Sequence, residues 1–418
     1  MSLNNTSDYQ PWANPDFIQN ILKRSLNDET IKVRSITSEA AVPPGENFMS
    51  NVFRVIVELT RGPPGRKVTE NKYFVFKVAL KQDGLPDHPD VAQNEFKAEI
   101  EMMRSTLVEM HEILNEKDHR LSPGVLYTQL GNPSFLILED MLAAGFHVVN
   151  RQIGLDLNHS RLVMRKLAKF HASSVALYEK DPDFIKFYQT LDEAKHADKN
   201  TVDSAVRFVT KGFKILAAEM LKWPELDVRY SEKIIELSKV HWEKRAECLE
   251  PKEKEFNAFN HGDPWVNNLM FRYNDEGEVV DQVFLDFQIS AWRSPAADLH
   301  YFLTTSLMDD VYLHHYNNLI IEYLNTLTET MLRIKCRTNP PTTDVIQVSL
   351  RDREFLAILY SIIVLPLVLD NNTTARTLSD LFNRITDEAR GMMYNNEHYR
   401  QIITRRLKDW FARGLLDV

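Results

Sequence analysis

A polar loop around residue 265 carries side chains that together could handle a phosphate ester. His261, Asp263 and Asn268 follow the pattern H-x-D-x-x-x-x-N, and Asp286 comes 18 residues after the asparagine, inside an apolar run. An aspartate can accept the proton of a substrate hydroxyl, while an amide oxygen and a second carboxylate can hold Mg²⁺, which prefers oxygen ligands and takes few from protein. The loop therefore predicts a base at Asp263 and a magnesium pair at Asn268 and Asp286 facing nucleotide phosphates. We expect His261 to support the loop from within.

Two departures separate this loop from the protein-kinase pattern, which reads H-R-D-x-x-x-x-N and D-F-G. Gly262 replaces the arginine and Gln288 replaces the last glycine, which points to the small-molecule branch that includes aminoglycoside and choline kinases. HGDPWVNNLMFRY and VFLDFQIS, followed by SPAADLHYFL, closely resemble the insect ecdysteroid kinase-like family. The resemblance implies transfer of the γ-phosphoryl group of ATP to a hydroxyl, with Asp263 as base and Mg²⁺ on Asn268 and Asp286.

A kinase fold also needs a cation that positions the α- and β-phosphates. The third predicted strand, 72–80, carries Lys77 among apolar neighbours. The helix predicted over 91–114 by its apolar stripe follows, with Glu95 and Glu99 one turn apart beside the stripe. Glu99 matches the family pattern best, so we expect it to pair with Lys77, with Glu95 as the second choice. The alternatives are a lysine that faces solvent and a solvated helix glutamate.

The turn 42–50 joins the first two predicted strands, and in a kinase fold its N–H groups would cover the nucleotide phosphates. Gly45 is its only glycine, so a G-x-G-x-x-G loop is absent from it. Its similarity to the family's Gly-Asn-Phe-Ser turn makes Asn47 and Ser50 candidate phosphate contacts. The residues by themselves favour a plain hairpin turn.

Alternating apolar residues predict strands at 31–36, 51–59, 72–80, 125–130 and 134–139. The last strand ends in Leu138-Glu139-Asp140-Met141, which resembles the family's L-E-D-L connection between two lobes. The resemblance implies that backbone groups from Glu139 to Met141 hydrogen-bond adenine. The local sequence itself predicts only a buried strand that runs into a loop.

Beyond this connection the chain is predicted to be mainly helical. A helix capped by Asn158 or Ser160 should run to about Glu179, and its LAKFHASS segment resembles the central helix of the family's large lobe. We expect His171 in that segment to be a core histidine. The SPAAD segment resembles a family element whose acid, here Asp298, braces the catalytic loop. An acid in a first helical turn would also favour the helix dipole in any protein.

Two tryptophans and two cysteines have other possible roles. Trp265 lies in the loop and Trp292 follows Asp286 closely, so both could line an apolar acceptor pocket, with a place in the core as the simpler alternative. Cys248 and Cys336 are too few for a disulfide framework and form no C-x-x-C motif or His/Cys cluster. We expect both to be reduced thiols, without structural zinc.

The composition is that of a soluble globular protein. The chain has 418 residues, 44% apolar and 26% charged, which suffices for a large core in two or three units. A net charge of −9 argues against nucleic acid as the main partner. The N-terminal residues do not show the pattern of a secretory signal. The longest apolar run, 355–369, is shorter than a bilayer-spanning helix of about 20 residues, and Pro366 interrupts it. We therefore expect a cytoplasmic protein that does not bind membranes.

Together these patterns predict an α+β protein with a two-lobed protein-kinase-like fold. An extension, 1–28, with a short helix at 15–26, should precede an N-terminal nucleotide-binding lobe, 29–140, built on an antiparallel sheet with one helix. The larger, mostly helical C-terminal lobe, 141–418, should carry catalysis and acceptor binding. The predicted function is an ATP- and Mg²⁺-dependent kinase for a small-molecule alcohol, an ecdysteroid or a hydroxylated xenobiotic, without an obligate protein partner.

Two other functions fit parts of the pattern. A catalytically inactive nucleotide- or small-molecule-binding protein on the same fold would keep the motifs without turnover. A transition-metal hydrolase would use His261, Asp263 and Asp286 as metal ligands. The sequence lacks a second histidine at metal-ligand spacing, and a hydrolase of this kind would leave Lys77 and Glu99 without a function.

Overall fold

The N-terminal part is built on a five-stranded antiparallel sheet with the strand order β1-β2-β3-β5-β4. The computed structural model describes residues 14–41, 50–79, 89–116, 120–131, 133–191, 199–370 and 386–418. The five strands are β1 (Lys32–Ala40), β2 (Ser50–Arg61), β3 (Val68–Ala79), β4 (Val125–Gln129) and β5 (Phe135–Glu139). All five predicted strands are present, and β3 lies at the centre, between β2 and β5.

Helix α1 (Pro15–Leu26) packs on this sheet, where the sequence predicted a helix within an extension. The Asn14 side chain accepts the first free N–H groups of α1, and Asn27 ends it in the left-handed conformation. Ile18, Ile21 and Leu22 join a buried cluster with apolar side chains of β2, β3 and β5. The first helix is thus part of the core of the sheet.

The long helix after β3 contains a π turn. It consists of α2 (Pro89–Glu101), the π turn Met102–Thr106 and α3 (Leu107–Leu114). The predicted stripe is buried along its whole length, at Phe96, Ile100, Met103, Leu107, Met110 and Leu114. A π turn adds one residue to the hydrogen-bonded ring, a change too small for apolar spacing to reveal.

The C-terminal part is mostly helical, as predicted. Its helices are α4 (Leu157–Lys180), α5 (Phe184–Leu191), α6 (Lys199–Met220), α7 (Val228–Leu249), α8 (Ala296–Thr305), α9 (Asp309–Arg333), α10 (Thr343–Asp352), α11 (Glu354–Ile363), α12 (Leu365–Leu369), α13 (Asp387–Tyr394) and α14 (Glu397–Ala412). Its strands are β6 (Phe146–His147), β7 (Ala258–Asn260), β8 (Leu269–Tyr273), β9 (Val279–Phe284) and β10 (Ala291–Arg293). These strands form the sheets β6-β8-β9 and β10-β7, which frame the catalytic motif.

The cap of α4 differs from the prediction. Asp156, rather than Asn158 or Ser160, caps the helix, because its carboxylate accepts the His159 N–H group at 2.9 Å. Helix α4 therefore begins earlier, and its buried face reaches from Ser160 to Leu177. It packs against α9, α3, β7 and β9, which makes it the central element of this part.

The apolar run 355–369 is buried, as predicted, but it forms two short helices, α11 and α12, that meet at Val364. Pro366 lies in the first turn of α12, where a proline N–H group is not needed. Within the described ranges, no helix combines the length and the apolar composition needed to cross a membrane. Cys248 and Cys336 are free thiols.

Candidate active site

The loop predicted to be catalytic begins where β7 ends and runs through a 3₁₀ turn (Val266–Asn268) into β8. Gly262 adopts a φ of +92°, which side chains rarely tolerate. A Cβ atom at Gly262 would lie 2.3 Å from the Ile289 carbonyl oxygen. The backbone after Asp286 thus passes too close for a side chain, and the arginine of the protein-kinase motif would not fit at this position.

Asp298 in the first turn of α8 braces this loop. Its carboxylate accepts the His261 N–H group at 2.7 Å and the Gly262 N–H group at 2.9 Å. Burial opposes ionisation of Asp298, but hydrogen bonds from His171 and from the loop outweigh it and hold the pKa of Asp298 below its usual value. The predicted bracing contacts are present. Pro295 is the N-cap of α8.

His261, predicted to support the loop, and His171, predicted to be a core histidine, are both fully buried and use both ring nitrogens. His261 Nε2 donates to the Leu285 carbonyl at 3.0 Å, and its Nδ1 accepts the Asp263 N–H group at 3.2 Å. His171 contacts the Tyr323 hydroxyl with Nδ1 at 2.8 Å and Asp298 with Nε2 at 3.1 Å. With both ring nitrogens of His261 engaged by backbone, this side chain cannot ligate a metal without breaking the loop, which disfavours the hydrolase alternative.

Asp263 is half-buried and held by the asparagine of the motif. The Asn268 side-chain Nδ2 donates to the Asp263 carboxylate at 2.9 Å and to its backbone carbonyl at 3.0 Å. Burial raises the pKa of Asp263 to about 7, and the charge of Asp286 adds to this rise. Because Asn268 uses its nitrogen here, its amide oxygen is available to a cation.

Lys77 lies between Glu99, its predicted partner, and Asp286, a contact that the sequence did not predict. Its Nζ is 2.7 Å from Glu99 Oε2 and 3.0 Å from Asp286 Oδ1, and it is only 5% exposed. Burial alone would lower the pKa of Lys77, but the charges of Asp286 and Glu99 raise it. The first-choice pair with Glu99 is therefore the one that forms, and Lys77 stays charged.

Asp286 is held in an unusual backbone conformation, with a φ of +64°. Non-glycine residues adopt the left-handed region rarely, and aspartate tolerates it better than most. The Gln288 side chain, two residues later, donates to Glu99 at 3.2 Å. Gln288 therefore adds a contact to the buried cluster that a glycine at this position could not make.

Most of the turn 42–50 lies outside the described residues, whereas the connection that follows β5 is described. Asn47 lies outside the described residues, while Ser50 is buried at the start of β2. The Glu139 side chain forms a two-point ion pair with Arg120, at 2.6 and 3.1 Å. The Met141 carbonyl accepts the Phe146 N–H group at 2.9 Å. These contacts fix the connection, and the buried Met141 side chain packs with Phe146 and Val283.

Three further contacts of the site escaped the sequence analysis. Arg54 on β2 reaches Asp140 at 2.5 Å, and Asp140 also accepts the Leu142 and Ala143 N–H groups. Gln288 contacts Glu99, as described above. Lys77 contacts Asp286, as also described above. In all three contacts the partners come from segments far apart in the chain, so sequence spacing could not reveal them.

The two tryptophans take the simpler of their two predicted roles. Trp292 stacks on Tyr178 with a ring-centroid distance of 4.3 Å and meets Phe184 edge-on. Trp265 packs, partly buried, against the main apolar cluster. Both therefore contribute to packing beside the loop.

Comparison with known proteins identifies a family match. A model of the ecdysteroid kinase-like family matches residues 44–336, a range that contains Lys77, Glu99, the catalytic loop, Asp286 and Asp298. A spectinomycin phosphotransferase solved with ADP and spectinomycin aligns with 11% identity and a TM-score of 0.36, covering 92% of this chain and 99% of the other. An ADP-bound aminoglycoside phosphotransferase aligns with 14% identity and a TM-score of 0.30, covering 82% and 99%. No curated protein sequence matches the chain.

Proposed function

The chain belongs to the ecdysteroid kinase-like family, and from this premise we propose that it is a kinase that transfers the γ-phosphoryl group of ATP to an alcohol. One observation carries the proposal: Lys77 of the N-terminal sheet contacts both Glu99 and Asp286. In a kinase, the lysine that binds the phosphates, the helix glutamate that holds this lysine and the aspartate that binds the metal ion must lie close together. A buried lysine between two carboxylates brings these three groups together.

Asp263 is the proposed base. The acceptor hydroxyl donates its proton to the Asp263 carboxylate while its oxygen bonds to the γ-phosphorus. The bond between the γ-phosphorus and the oxygen that bridges it to the β-phosphorus breaks, and ADP is released. A pKa of about 7 places the carboxylate in the range where a base is both ionised and able to take a proton near neutral pH. Asn268 and Asp298 keep the loop, and so this carboxylate, in place.

The oxygen donors at the site fit Mg²⁺. The Asn268 amide oxygen and the Asp286 carboxylate are hard ligands of the kind and number that Mg²⁺ takes from protein in nucleotide sites. When bound there, Mg²⁺ would neutralise charge on the phosphates. Lys77, held by Glu99, would stay beside Asp286 and contact the α- and β-phosphates.

The remaining nucleotide contacts follow from the family resemblance. We place Asn47 and Ser50 at the phosphates and the backbone of Glu139 and Met141 at adenine. The Met141 carbonyl already accepts the Phe146 N–H group, so the Met141 N–H group is the better candidate for an adenine contact. The Arg120 and Arg54 ion pairs would hold this connection rigid while adenine binds.

The proposed acceptor is a small-molecule alcohol, with an ecdysteroid or a hydroxylated xenobiotic as the first compounds to examine. We further propose that the protein acts in the cytoplasm without nucleic acid, membrane or an obligate protein partner.

Two measurements test the function. Purified protein with γ-labelled ATP and Mg²⁺ should label at least one compound in a panel of steroid alcohols, hydroxylated xenobiotics and amino alcohols, and a panel without any labelled product would contradict the acceptor class. Millimolar MgATP should raise the midpoint of thermal unfolding. No rise would contradict nucleotide binding, whereas a rise with no turnover on any acceptor or on water would favour the inactive binding protein.

A further inference from the structure

A short segment between α3 and β4, residues 120–124, holds the connection that is proposed to bind adenine. The Arg120 guanidinium contacts the Glu139 carboxylate at 2.6 and 3.1 Å. The Gly124 carbonyl accepts the Glu139 N–H group at 2.8 Å, and the Gly124 N–H group donates to the Glu139 carboxylate at 3.2 Å. These hydrogen bonds to one residue fix the end of β5, where the connection begins.

The same segment also holds strand β9 of the C-terminal part. The Leu121 carbonyl accepts the Phe284 N–H group at 2.9 Å. Phe284 is the last residue of β9 and lies two residues before Asp286, the proposed metal ligand. The Leu121 side chain is fully buried in the main apolar cluster. The 120–124 segment therefore joins the strand that leads to the proposed metal site with the connection at adenine.

A buried lysine on α4 fixes the backbone of this segment. The Lys166 Nζ atom donates to the Arg120 carbonyl at 3.0 Å and to Asp281 Oδ1 on β9 at 2.9 Å. The side chains of this ion pair are only 7% and 4% exposed. Burying a charge is costly unless acceptors surround it, so the ammonium group draws the Arg120 carbonyl and Asp281 to one point. Lys166 therefore sets the position of the 120–124 segment relative to β9.

We propose that Lys166 is a positioning residue for the nucleotide, which keeps the adenine connection and Asp286 at the spacing that one ATP molecule spans. The inference rests on the proposed function, because it requires both regions to bind the same nucleotide. Two regions that bind opposite ends of one ligand strengthen its binding only if their spacing suits that ligand. The opposing explanation is structural: the ion pair of Lys166 and Asp281 merely stabilises the packing of α4 on β9.

The variant Lys166→Met/Asp281→Asn separates the two explanations. It removes both charges of the pair, so the fold keeps no buried charge without its partner. The asparagine oxygen can still accept the Gln282 N–H group, which Asp281 Oδ1 accepts at 2.8 Å.

The probes are MgATP, which reaches both regions, and adenosine, which reaches only the connection. Their dissociation constants are measured by titration calorimetry, and the midpoint of thermal unfolding verifies that each protein is folded. The dissociation constant of MgATP should rise about 10-fold in the double variant. That of adenosine should change by less than about twofold, because the hydrogen bonds that Arg120 and Gly124 make to Glu139 remain.

The matched control is Lys169→Met, one helical turn later on α4. Lys169 pairs with Glu116 Oε2 at 2.7 Å, outside the 120–124 segment, so the MgATP dissociation constant of this variant should equal that of the wild type. Wild-type affinity for MgATP in the double variant, or an equal fold-loss for MgATP and adenosine, would overturn the positioning role and leave the kinase function intact. A wild type that does not bind MgATP would contradict nucleotide binding and remove the positioning role with it.

Discussion

Lys77 and Asp286 lie 209 residues apart in the chain, and yet Lys77 Nζ is 3.0 Å from Asp286 Oδ1. This contact joins the central strand of the N-terminal sheet to the loop that follows β9 in the C-terminal part. The lysine reaches that loop only because Glu99 and its own strand hold it in a buried position. The two halves of the proposed ATP site thus meet at one ammonium group.

Replacing Glu99 should therefore affect both stability and nucleotide use. Glu99→Gln removes the charge that faces Lys77 most closely, and breaking a buried ion pair from one side costs about 3 kcal/mol in the free energy of unfolding. The concentration of ATP needed for half-maximal rate should rise, because Lys77 loses the group that directs it toward the phosphates. Chemical denaturation and steady-state kinetics measure the two effects.

The matched control is Glu95→Gln, one helical turn earlier, because Lys77 pairs with Glu99 and Asp286. It should leave the concentration of ATP that gives the half-maximal rate unchanged, because Glu95 is not the group that holds Lys77. Equal effects of the two substitutions would contradict the assignment of Glu99 as the partner of the lysine.

Gly262→Ala should displace the catalytic loop. The added Cβ would meet the Ile289 carbonyl oxygen at 2.3 Å, in addition to the strain of a positive φ. Gly277→Ala is the control for that strain, because Gly277 also has a positive φ, +80°, and no atom lies within 4 Å of its added Cβ. We expect Gly277→Ala to cost about 1–2 kcal/mol and to keep turnover, and Gly262→Ala to cost more and to lose turnover. Similar results from both variants would contradict the close-approach explanation.

His111 should make the fold sensitive to acid. Its Nε2 accepts the Leu121 N–H group at 2.8 Å, and burial lowers its pKa from 6.5 to about 4. The unfolded chain therefore binds a proton at His111 below pH 6.5, whereas the folded chain binds it only near pH 4. The free energy of unfolding therefore falls as the pH drops from 6.5 to 4, and it levels off below pH 4. The loss reaches about 3 kcal/mol at pH 4.

His111→Gln isolates this contribution, because its amide oxygen can still accept the Leu121 N–H group without titrating. Urea unfolding at pH values from 7 to 4 should show a smaller loss of stability in the variant than in the wild type. Parallel curves for the two proteins would show that His111 does not control the acid response.

The contacts that the sequence predicted share one property: each involves a residue fixed by a motif or by a periodic element. Lys77 and Glu99 lie on a predicted strand and a predicted amphipathic helix, and the family resemblance selected Glu99 and Asp298. The Asp156 cap was missed because several capping residues compete within a few positions, and only the packed helix shows which one begins it. Gln288 and Arg54 were missed because their partners come from distant segments, and side-chain type alone does not say which segments meet.

The turnover of Asp263→Asn on an alcohol that the wild type phosphorylates tests most directly whether Asp263 is the base. The variant removes the proposed base while keeping a side chain of nearly the same shape. Turnover should fall by about 100-fold or more, and MgATP should still raise the midpoint of thermal unfolding as it does in the wild type. Wild-type turnover by this variant would contradict the central claim that Asp263 accepts the proton of the acceptor.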